Sequence, residues 1–293
     1  MTINMNILKK SKFLALFKAA SKSSQLLVIT GLIFDLILII FIIFGPAIVP
    51  HDPFKMSDNT LEPPSYQHVM GTDILGRDLF SRLVVGSRYS LGISLLAVGI
   101  SLSIGLVVGS LSGFIGGPID RILMLISDAI YTFPGFIFVL LLAVVLGPGI
   151  WQTALAISIG RIPHNFRMIR SLTLSIKERG FIEAERVLGA SNWYILRTHI
   201  SPYYLSILFV TISLSMARGT LAVSGLGFLG LGIPPPTPEW GTELSMGRTV
   251  LLRGAWWTVV FPGIFVLIAM LGFNLLSEGL DAILNPAVRR LKQ

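Results

Sequence analysis

The sequence contains no cysteine and few charged residues for its length. Of its 293 residues, 13% are Asp, Glu, Lys or Arg, whereas soluble domains usually carry about 25%. The absence of cysteine excludes disulfide bonds, cysteine zinc sites and thiol catalysis. A hydrophobic content of 53% and a mean hydropathy of +0.78 favour a membrane protein instead.

The sequence also lacks the motifs of nucleotide binding and hydrolysis. It has no Gly-Lys dipeptide, and therefore no G-x-x-x-x-G-K-[ST] loop to hold nucleotide phosphates. It has no HExxH motif and no paired carboxylate cluster, and its four histidines are scattered. We therefore expect no catalytic residue, metal site or cofactor in this chain. ATP-driven work would require separate ATPase subunits that hold ATP and Mg.

The net charge of +8 has two possible meanings. Nucleic-acid binding needs a clustered basic face with stacking aromatics, which the sequence does not show, so we expect no nucleic-acid partner. In membrane proteins, Lys and Arg instead accumulate in cytoplasmic segments. Distributed over alternating segments, most of the 23 basic residues fall on the same side as the N-terminus. This predicts that both termini are cytoplasmic.

Six apolar runs predict six transmembrane helices in contact with lipid. The first run is long enough to cross about 30 Å of hydrocarbon and longer than the core of a typical signal peptide, so we expect an uncleaved span. The fourth is weakest, because Arg161 and Pro163 interrupt it. The runs lie at 26–44, 90–115, 122–146, 150–168, 203–224 and 256–279.

These runs divide the chain into five parts. The fold class predicted is an all-α polytopic membrane protein. Its parts are a cytoplasmic N-terminal segment (1–25), a first transmembrane helix (26–48), an external loop (49–89), a five-helix core (90–285) and a cytoplasmic tail (286–293).

Residues 178–202, here called the elbow, form a charged segment between two apolar runs. Phe181, Ala184 and Leu188 are spaced to share one helix face, and Arg179 can pair with Glu183 four residues on. The pattern predicts a short helix on the cytoplasmic side of the membrane.

A second short helix is predicted after Gly189, a glycine of the kind that often ends helices. Ser191 is expected to cap this helix and Pro202 to stop it. Its predicted apolar face consists of Trp193, Leu196 and Ile200. Two interpretations stay open for the whole elbow: an interfacial connector, or a helix that docks into a groove of a soluble partner.

Three charged residues fall within or near the predicted spans: Asp35, Asp128 and Arg218. Ionisable groups at membrane depth are functional candidates. Either they drive an ion-coupled secondary transporter or channel, or they pair locally at a subunit interface or along a watery path.

The elbow resembles the "EAA" loop of bacterial ATP-binding-cassette (ABC) importer permeases, with Glu185 in place of the usual second alanine. Three further segments resemble the permease group for dipeptides, oligopeptides and nickel, most closely its "C" subunit. They are HVMGTDILGRDLFSRLVVGSRYSL, GFLGLGIPPPTPEWG and PGIFVLIAMLGFNLLSEGLDAILNP.

This resemblance implies a type I importer permease core in a prokaryotic cytoplasmic membrane. The implied partners are a second permease subunit in a heterodimer, two ATPase subunits and an extracytoplasmic substrate-binding protein. Di- or oligopeptides are the expected cargo, with glutathione-like peptides, nickel chelates and oligosaccharides left open. The residues implied in ATPase coupling are Glu183, Ala184, Glu185, Arg186, Gly189, Ala190 and Ser191.

The resemblance also points to external residues that either form a capped turn or contact the binding protein or partner permease. They are Gly71, Thr72, Asp73, Gly76, Arg77 and Asp78, together with Pro234 and Trp240 of the proline-rich loop.

Overall fold

The structure, a computed structural model, describes residues 16–284 apart from residue 19. The N-terminal lysines Lys9, Lys10 and Lys12 and the predicted tail at 286–293 lie outside the described residues. The helices are α1 (Lys22–Ile48), α2 (Leu79–Ile115), α3 (Gly117–Tyr131), α4 (Gly135–Leu146), α5 (Ile150–Lys177), α6 (Gly180–Val187), α7 (Tyr204–Phe228), α8 (Trp240–Arg248) and α9 (Trp257–Leu284).

Four helices of the described chain are long and apolar enough to cross a membrane: α1, α2, α9 and the part of α7 from Ile207 to Phe228. The pair α3 and α4 would supply a fifth, but it bends by 91°. The apolar run at 122–146 is therefore not one straight helix. Pro134 stands at the break, and a proline restricts the residue before it and cannot donate a helical hydrogen bond.

Helix α5 falls outside that set although it is 28 residues long. Arg161, His164, Arg167 and Arg170 lie along it and lower its hydropathy. The described structure thus confirms a polytopic helical protein and supports four or five spans by length and composition, against the six predicted.

Helix α2 begins at Leu79 rather than near residue 90, so the last part of the predicted external loop is helical. The reason is a cap: the Asp78 carboxylate accepts the Ser81 N–H at 2.8 Å and the Ser81 hydroxyl at 2.6 Å. A capping carboxylate satisfies amides that the first helical turn leaves free.

Glycines bring two helix pairs into close contact. A Cβ added at Gly109 of α2 would lie 2.7 Å from the Phe166 carbonyl oxygen of α5. A Cβ at Gly31 of α1 would lie 2.8 Å from the Gly272 carbonyl oxygen of α9. Small residues at such positions let membrane helices pack backbone against backbone. Helix α1 is thereby held against α9, and α2 against α5.

Candidate functional site

The elbow has a glycine turn between two helical segments. Helix α6 ends at Val187, and Gly189 takes a φ of +83°. The Ser191 hydroxyl oxygen then accepts the Tyr194 N–H at 3.3 Å, which caps the next turn. The predicted glycine break and serine cap are both confirmed.

The elbow is anchored by isoleucines that point into the protein. Ile182, Ile195 and Ile200 are completely buried, in one cluster with Phe114 of α2 and Ile176 of α5. Burying a side chain of this size contributes roughly 1.5–3 kcal/mol. The elbow is therefore a packed part of the domain, seated on the ends of α2 and α5.

The apolar face predicted for the first elbow helix points the other way. Phe181, Ala184 and Leu188 are exposed, and the residue that packs inward is Ile182. The prediction chose the wrong side because α6 carries apolar residues on both of its faces. Val187 and Leu188 keep 83% and 81% of their surface exposed, which leaves an apolar patch facing outward.

Pro202 does not stop the second segment. An α-turn (Asn192–Tyr194), a π-helix (Ile195–Ile200) and a 3-10 turn (Ser201–Tyr203) lead directly into α7. A proline is tolerated in the first turn of a helix, where no donor is needed. Trp193 of the predicted face is exposed, while Leu196 and Ile200 are buried. The elbow is thus continuous with α7.

The charged residues of the elbow differ in whether they contact a partner within the described chain. Glu183 is exposed in the first turn of α6 and forms no ion pair within the described part of the chain. The expected partner, Arg179, instead lies over the Tyr203 ring at 5.3 Å. Glu185 Oε1 lies 3.3 Å from His199 Nε2. Glu183 is therefore available to a partner.

A second charged group, here called the loop network, consists of Asp73, Arg77, Arg82 and Glu243, all buried. Arg77 Nε donates to Asp73 Oδ2 at 2.6 Å. Arg82 donates to Glu243 Oε1 through Nε at 3.0 Å and through Nη2 at 2.6 Å.

Arg82 also joins backbone segments that are far apart in sequence. It donates through Nη1 to the Pro53 carbonyl oxygen at 2.8 Å and through Nη2 to the Pro236 carbonyl oxygen at 3.2 Å. The loop network therefore ties the loop after α1, the start of α2 and the proline-rich loop before α8 into one unit.

The residues expected at an external contact surface are mostly inside this unit. Thr72, Asp73, Arg77, Asp78 and Trp240 are buried. Their side chains form the interior of the loop region, and this burial favours the structural interpretation of the two that the sequence left open.

The capped-turn interpretation is supported at the same residues. Asp73 Oδ1 accepts the N–H groups of Leu75 and Arg77 at 2.8 and 2.9 Å. Gly71 and Gly76 have φ angles of +75° and +70°. Pro234 differs from the rest of the expected set, since it is exposed.

Glu239 is a buried group that sequence reasoning did not single out. Its carboxylate accepts the N–H groups of Gly241 and Thr242, both at 2.9 Å, and the Ser90 hydroxyl at 3.0 Å. Burial raises the pKa of this carboxyl, while those hydrogen bonds oppose the rise. Glutamate is not a favoured capping residue, so no local sequence signal pointed to this role.

A cavity of about 360 Å³ lies among α2, α4, α5 and α7. Its polar lining includes Arg161, His164 and Arg218, with Tyr131 at the bend between α3 and α4. Arg218 was predicted as an intramembrane charge. Arg161 was noted as an interruption of the fourth apolar run, and no sequence pattern placed it beside Arg218.

The other two intramembrane charges lie elsewhere. Asp35 is 5% exposed, and its carboxylate has no hydrogen-bond partner within the described residues. It faces Gly272 of α9. Asp128 is exposed and pairs with Arg167. Asp35, Asp128 and Arg218 are therefore in three different surroundings, and of the three only Asp128 forms an ion pair within the described residues.

Comparison with known proteins identifies similar sequences over most of the chain. The family described as "Binding-protein-dependent transport system inner membrane component" matches residues 105–290. A probable D,D-dipeptide transport system permease protein of Escherichia coli K12 is 38% identical over 261 residues, covering 89% of this chain and 87% of the relative.

Two further relatives carry related names. A di/tripeptide transport system permease protein of Pseudomonas aeruginosa is 36% identical over 266 residues, covering 88% of each chain. A glutathione transport system permease protein of Escherichia coli O157:H7 is 38% identical over 267 residues, covering 90% of this chain and 88% of the relative. The likeness thus extends well beyond the elbow.

Proposed function

Because this chain belongs to the family of binding-protein-dependent transport inner-membrane components, we propose that it is a permease subunit of an ATP-driven peptide importer. It is a multi-pass protein of a prokaryotic inner membrane. It performs no covalent chemistry and provides half of a translocation pathway. The observation that carries this function is the structure of the elbow. One face of the elbow is packed against α2 and α5, and its other face exposes apolar side chains to solvent.

The outward patch of the elbow fits a groove on an ATPase subunit. Val187, Leu188 and Trp193 are 83%, 81% and 65% exposed, and burying such side chains against a partner is favourable. Short helices dock into protein grooves by this means. Glu183 forms no ion pair within the residues that the structure describes, and it can reach a basic group on the ATPase. The other coupling residues in this role are Ala184, Glu185, Arg186, Gly189, Ala190 and Ser191.

The same geometry supports transmission of ATPase movement into the pathway. The second half of the elbow runs into α7 without a break, and α7 lines the cavity through Arg218. Ile182 and Ile195 fix the elbow to α2 and α5. A shift of the elbow therefore moves helices that border the cavity as a rigid group.

We propose a complex that contains a second permease, two ATPase subunits holding ATP and Mg, and an extracytoplasmic binding protein. The loop network forms a rigid platform on the side of α1 and α2 away from the elbow. Pro234, exposed in the adjoining proline-rich loop, is placed to contact the binding protein or the second permease.

We propose six spans with both termini cytoplasmic, counting the bent pair α3 and α4 as one span and α5 as another. At 1.5 Å per residue, the 28 residues of α5 extend about 42 Å. Two of its charges are neutralised by ion pairs, Arg167 with Asp128 and Arg170 with Asp120. Its low hydropathy is therefore compatible with a membrane span.

Peptides are the favoured cargo because the relatives are named for dipeptides, di- and tripeptides and glutathione. Nickel chelates and oligosaccharides are the alternatives for the same machinery. Purification of this chain from its native membrane should bring a second permease and ATPases. The reconstituted complex, supplied with its binding protein, should accumulate alanyl-alanine only with ATP. Purification of the chain alone would contradict the proposal.

The rival function, an ion-coupled transporter, is tested at Asp35. The Asp35→Asn variant replaces this buried carboxyl by an amide, which cannot bind and release a proton. We expect transport by the purified variant complex to remain strictly ATP-dependent, even if its yield falls. Uptake that follows a proton gradient without ATP, in wild type but not in the variant, would favour the rival.

A further inference from the structure

Two arginines line the cavity between α2, α4, α5 and α7: Arg161, which is half-buried, and Arg218, which is exposed within the described chain. At 1.5 Å per residue, Arg161 is about 16 Å along α5 from Ile150, and Arg218 about 15 Å along α7 from Phe228. Both line the cavity of about 360 Å³. In the six-span arrangement these positions fall in the interior of the membrane.

Nothing within the described chain neutralises these two charges. The cavity lining contains no Asp or Glu, and the ion pairs of the described residues do not include Arg161 or Arg218. Asp128, one turn before Tyr131, is already paired with Arg167. An arginine stays charged in proteins, and an uncompensated charge at membrane depth is unfavourable. The two arginine charges therefore favour the binding of an anion in the cavity.

The rest of the lining indicates what kind of anion fits. His164, Tyr131 and two serines, Ser101 and Ser215, add hydrogen-bonding groups. Small and apolar residues complete the wall: Ala97, Val98, Val139, Ile157 and Ala222. The volume lies in the range of small-molecule sites, roughly 300–1,000 Å³, and it exceeds what one carboxylate side chain from a partner would fill.

We propose that Arg161 and Arg218 receive the terminal carboxylate of the peptide during its passage. This inference rests on the proposed peptide-import function. Guanidinium groups bind carboxylates through paired, charge-assisted hydrogen bonds. Every peptide with a free C-terminus carries this group whatever its sequence, while the apolar wall accepts varied side chains. The site would thus recognise peptides as a class without selecting among them.

The test compares charge removal with charge retention in the complete complex. The double variant Arg161→Met/Arg218→Met keeps side-chain bulk but loses both charges, whereas Arg161→Lys/Arg218→Lys keeps them. Proteoliposomes containing each complex receive radiolabelled alanyl-alanine, binding protein and ATP. We expect the Met pair to lower the uptake rate about tenfold or more and the Lys pair to retain most of it.

ATP hydrolysis stimulated by the binding protein should persist in both variants, because the ATPase contact lies at the elbow. If the Met pair is not recovered from membranes, the single Met variants replace it with the same expected direction. Equal uptake by Met, Lys and wild-type complexes would overturn the carboxylate site but not the proposed peptide import. Loss of the second permease from the Met complex but not the Lys complex would also overturn it, because the counter-ion would then be the partner's. Failure of wild type to import alanyl-alanine would overturn the peptide function itself.

Discussion

At the scale of single residues, Arg82 has the most consequential contacts in the loop network. It is completely buried and bonded to Glu243, Pro53 and Pro236. The sequence shows it only as the first of two arginines that follow GRD, because its carboxylate partner is 161 residues away. Contacts of that range leave no local pattern to read.

Replacing Arg82 by Met should strongly destabilise the loop region. The change leaves the Glu243 carboxylate buried without its counter-charge, and breaking such a pair costs about 3–5 kcal/mol. We expect a clear fall in the Tm of the detergent-solubilised complex, measured by loss of the folded peak in size-exclusion chromatography after heating. Arg253→Met, at an exposed arginine on the same side of the protein, is the matched control. Equal Tm values for the two variants would contradict the role given to Arg82.

The elbow shows which residue-level features local sequence can predict. Gly189 and Ser191 were predicted correctly because a positive φ and a helix cap depend on the immediate neighbours. The buried face was not. Helical spacing places Phe181 and Leu188 together, and it says nothing about whether they or Ile182 meet the core, since that depends on α2 and α5.

At the scale of elements, the glycines of α2 determine how closely it approaches α5. Gly105, Gly109 and Gly113 recur every fourth residue, so they share one face of the helix. A Cβ at any of them would lie 2.5–2.8 Å from an α5 atom. These small residues permit backbone contact between the two helices that larger residues would prevent.

Gly109→Ala should therefore lower stability, while Gly99→Ala should not. The added methyl at Gly109 meets the Phe166 carbonyl oxygen at 2.7 Å, and at Gly99 it meets nothing within 4 Å. Overpacking of this kind typically costs about 1–3 kcal/mol. Heating curves of the two variant complexes provide the comparison. A Gly109→Ala complex as heat-stable as the Gly99→Ala complex would show that α2 and α5 are not in tight contact.

Element boundaries were harder to predict than element existence. Four of the six apolar runs correctly located α1, α2, α7 and α9. The run at 122–146 concealed a bend, because hydropathy does not register the backbone effect of Pro134. The start of α2 was missed because Arg82 and Ser90, polar in sequence, are buried through partners on other elements.

At the scale of the whole molecule, topology follows from the distribution of Lys and Arg. In the proposed topology both termini are inside, the elbow is cytoplasmic and the loop network is external. An even number of spans places both termini on the same side of the membrane. The count of six requires that α5 crosses the membrane and that the bent pair α3 and α4 forms one span.

Cysteine labelling tests this topology directly, because the natural chain contains no cysteine. Ser191→Cys and Ser65→Cys place thiols at two exposed positions, one in the elbow and one in the external loop. In intact cells, a membrane-impermeant maleimide should label only the Ser65→Cys variant. After the membrane is opened, both should react. Labelling of both thiols in intact cells would contradict the six-span arrangement.

The central claim is that the elbow couples this chain to ATPase subunits. Glu183 is exposed and unpaired within the described chain, so Glu183→Ala removes little folding energy. At Gly189 a Cβ meets nothing within 4 Å, but a β-branched residue at a φ of +83° is strained. Gly189→Val therefore disturbs the turn, whereas Gly189→Asn, a residue that tolerates this conformation, serves as its control.

The most direct measurement is the amount of ATPase that copurifies with each variant, together with ATP hydrolysis stimulated by substrate-loaded binding protein. Glu183→Ala and Gly189→Val should reach normal membrane abundance, yet bind less ATPase and show reduced stimulated hydrolysis. Gly189→Asn should behave like wild type in both assays. Normal ATPase binding and normal stimulated hydrolysis in Glu183→Ala and Gly189→Val, at normal abundance, would contradict the account and leave the elbow as an interfacial connector.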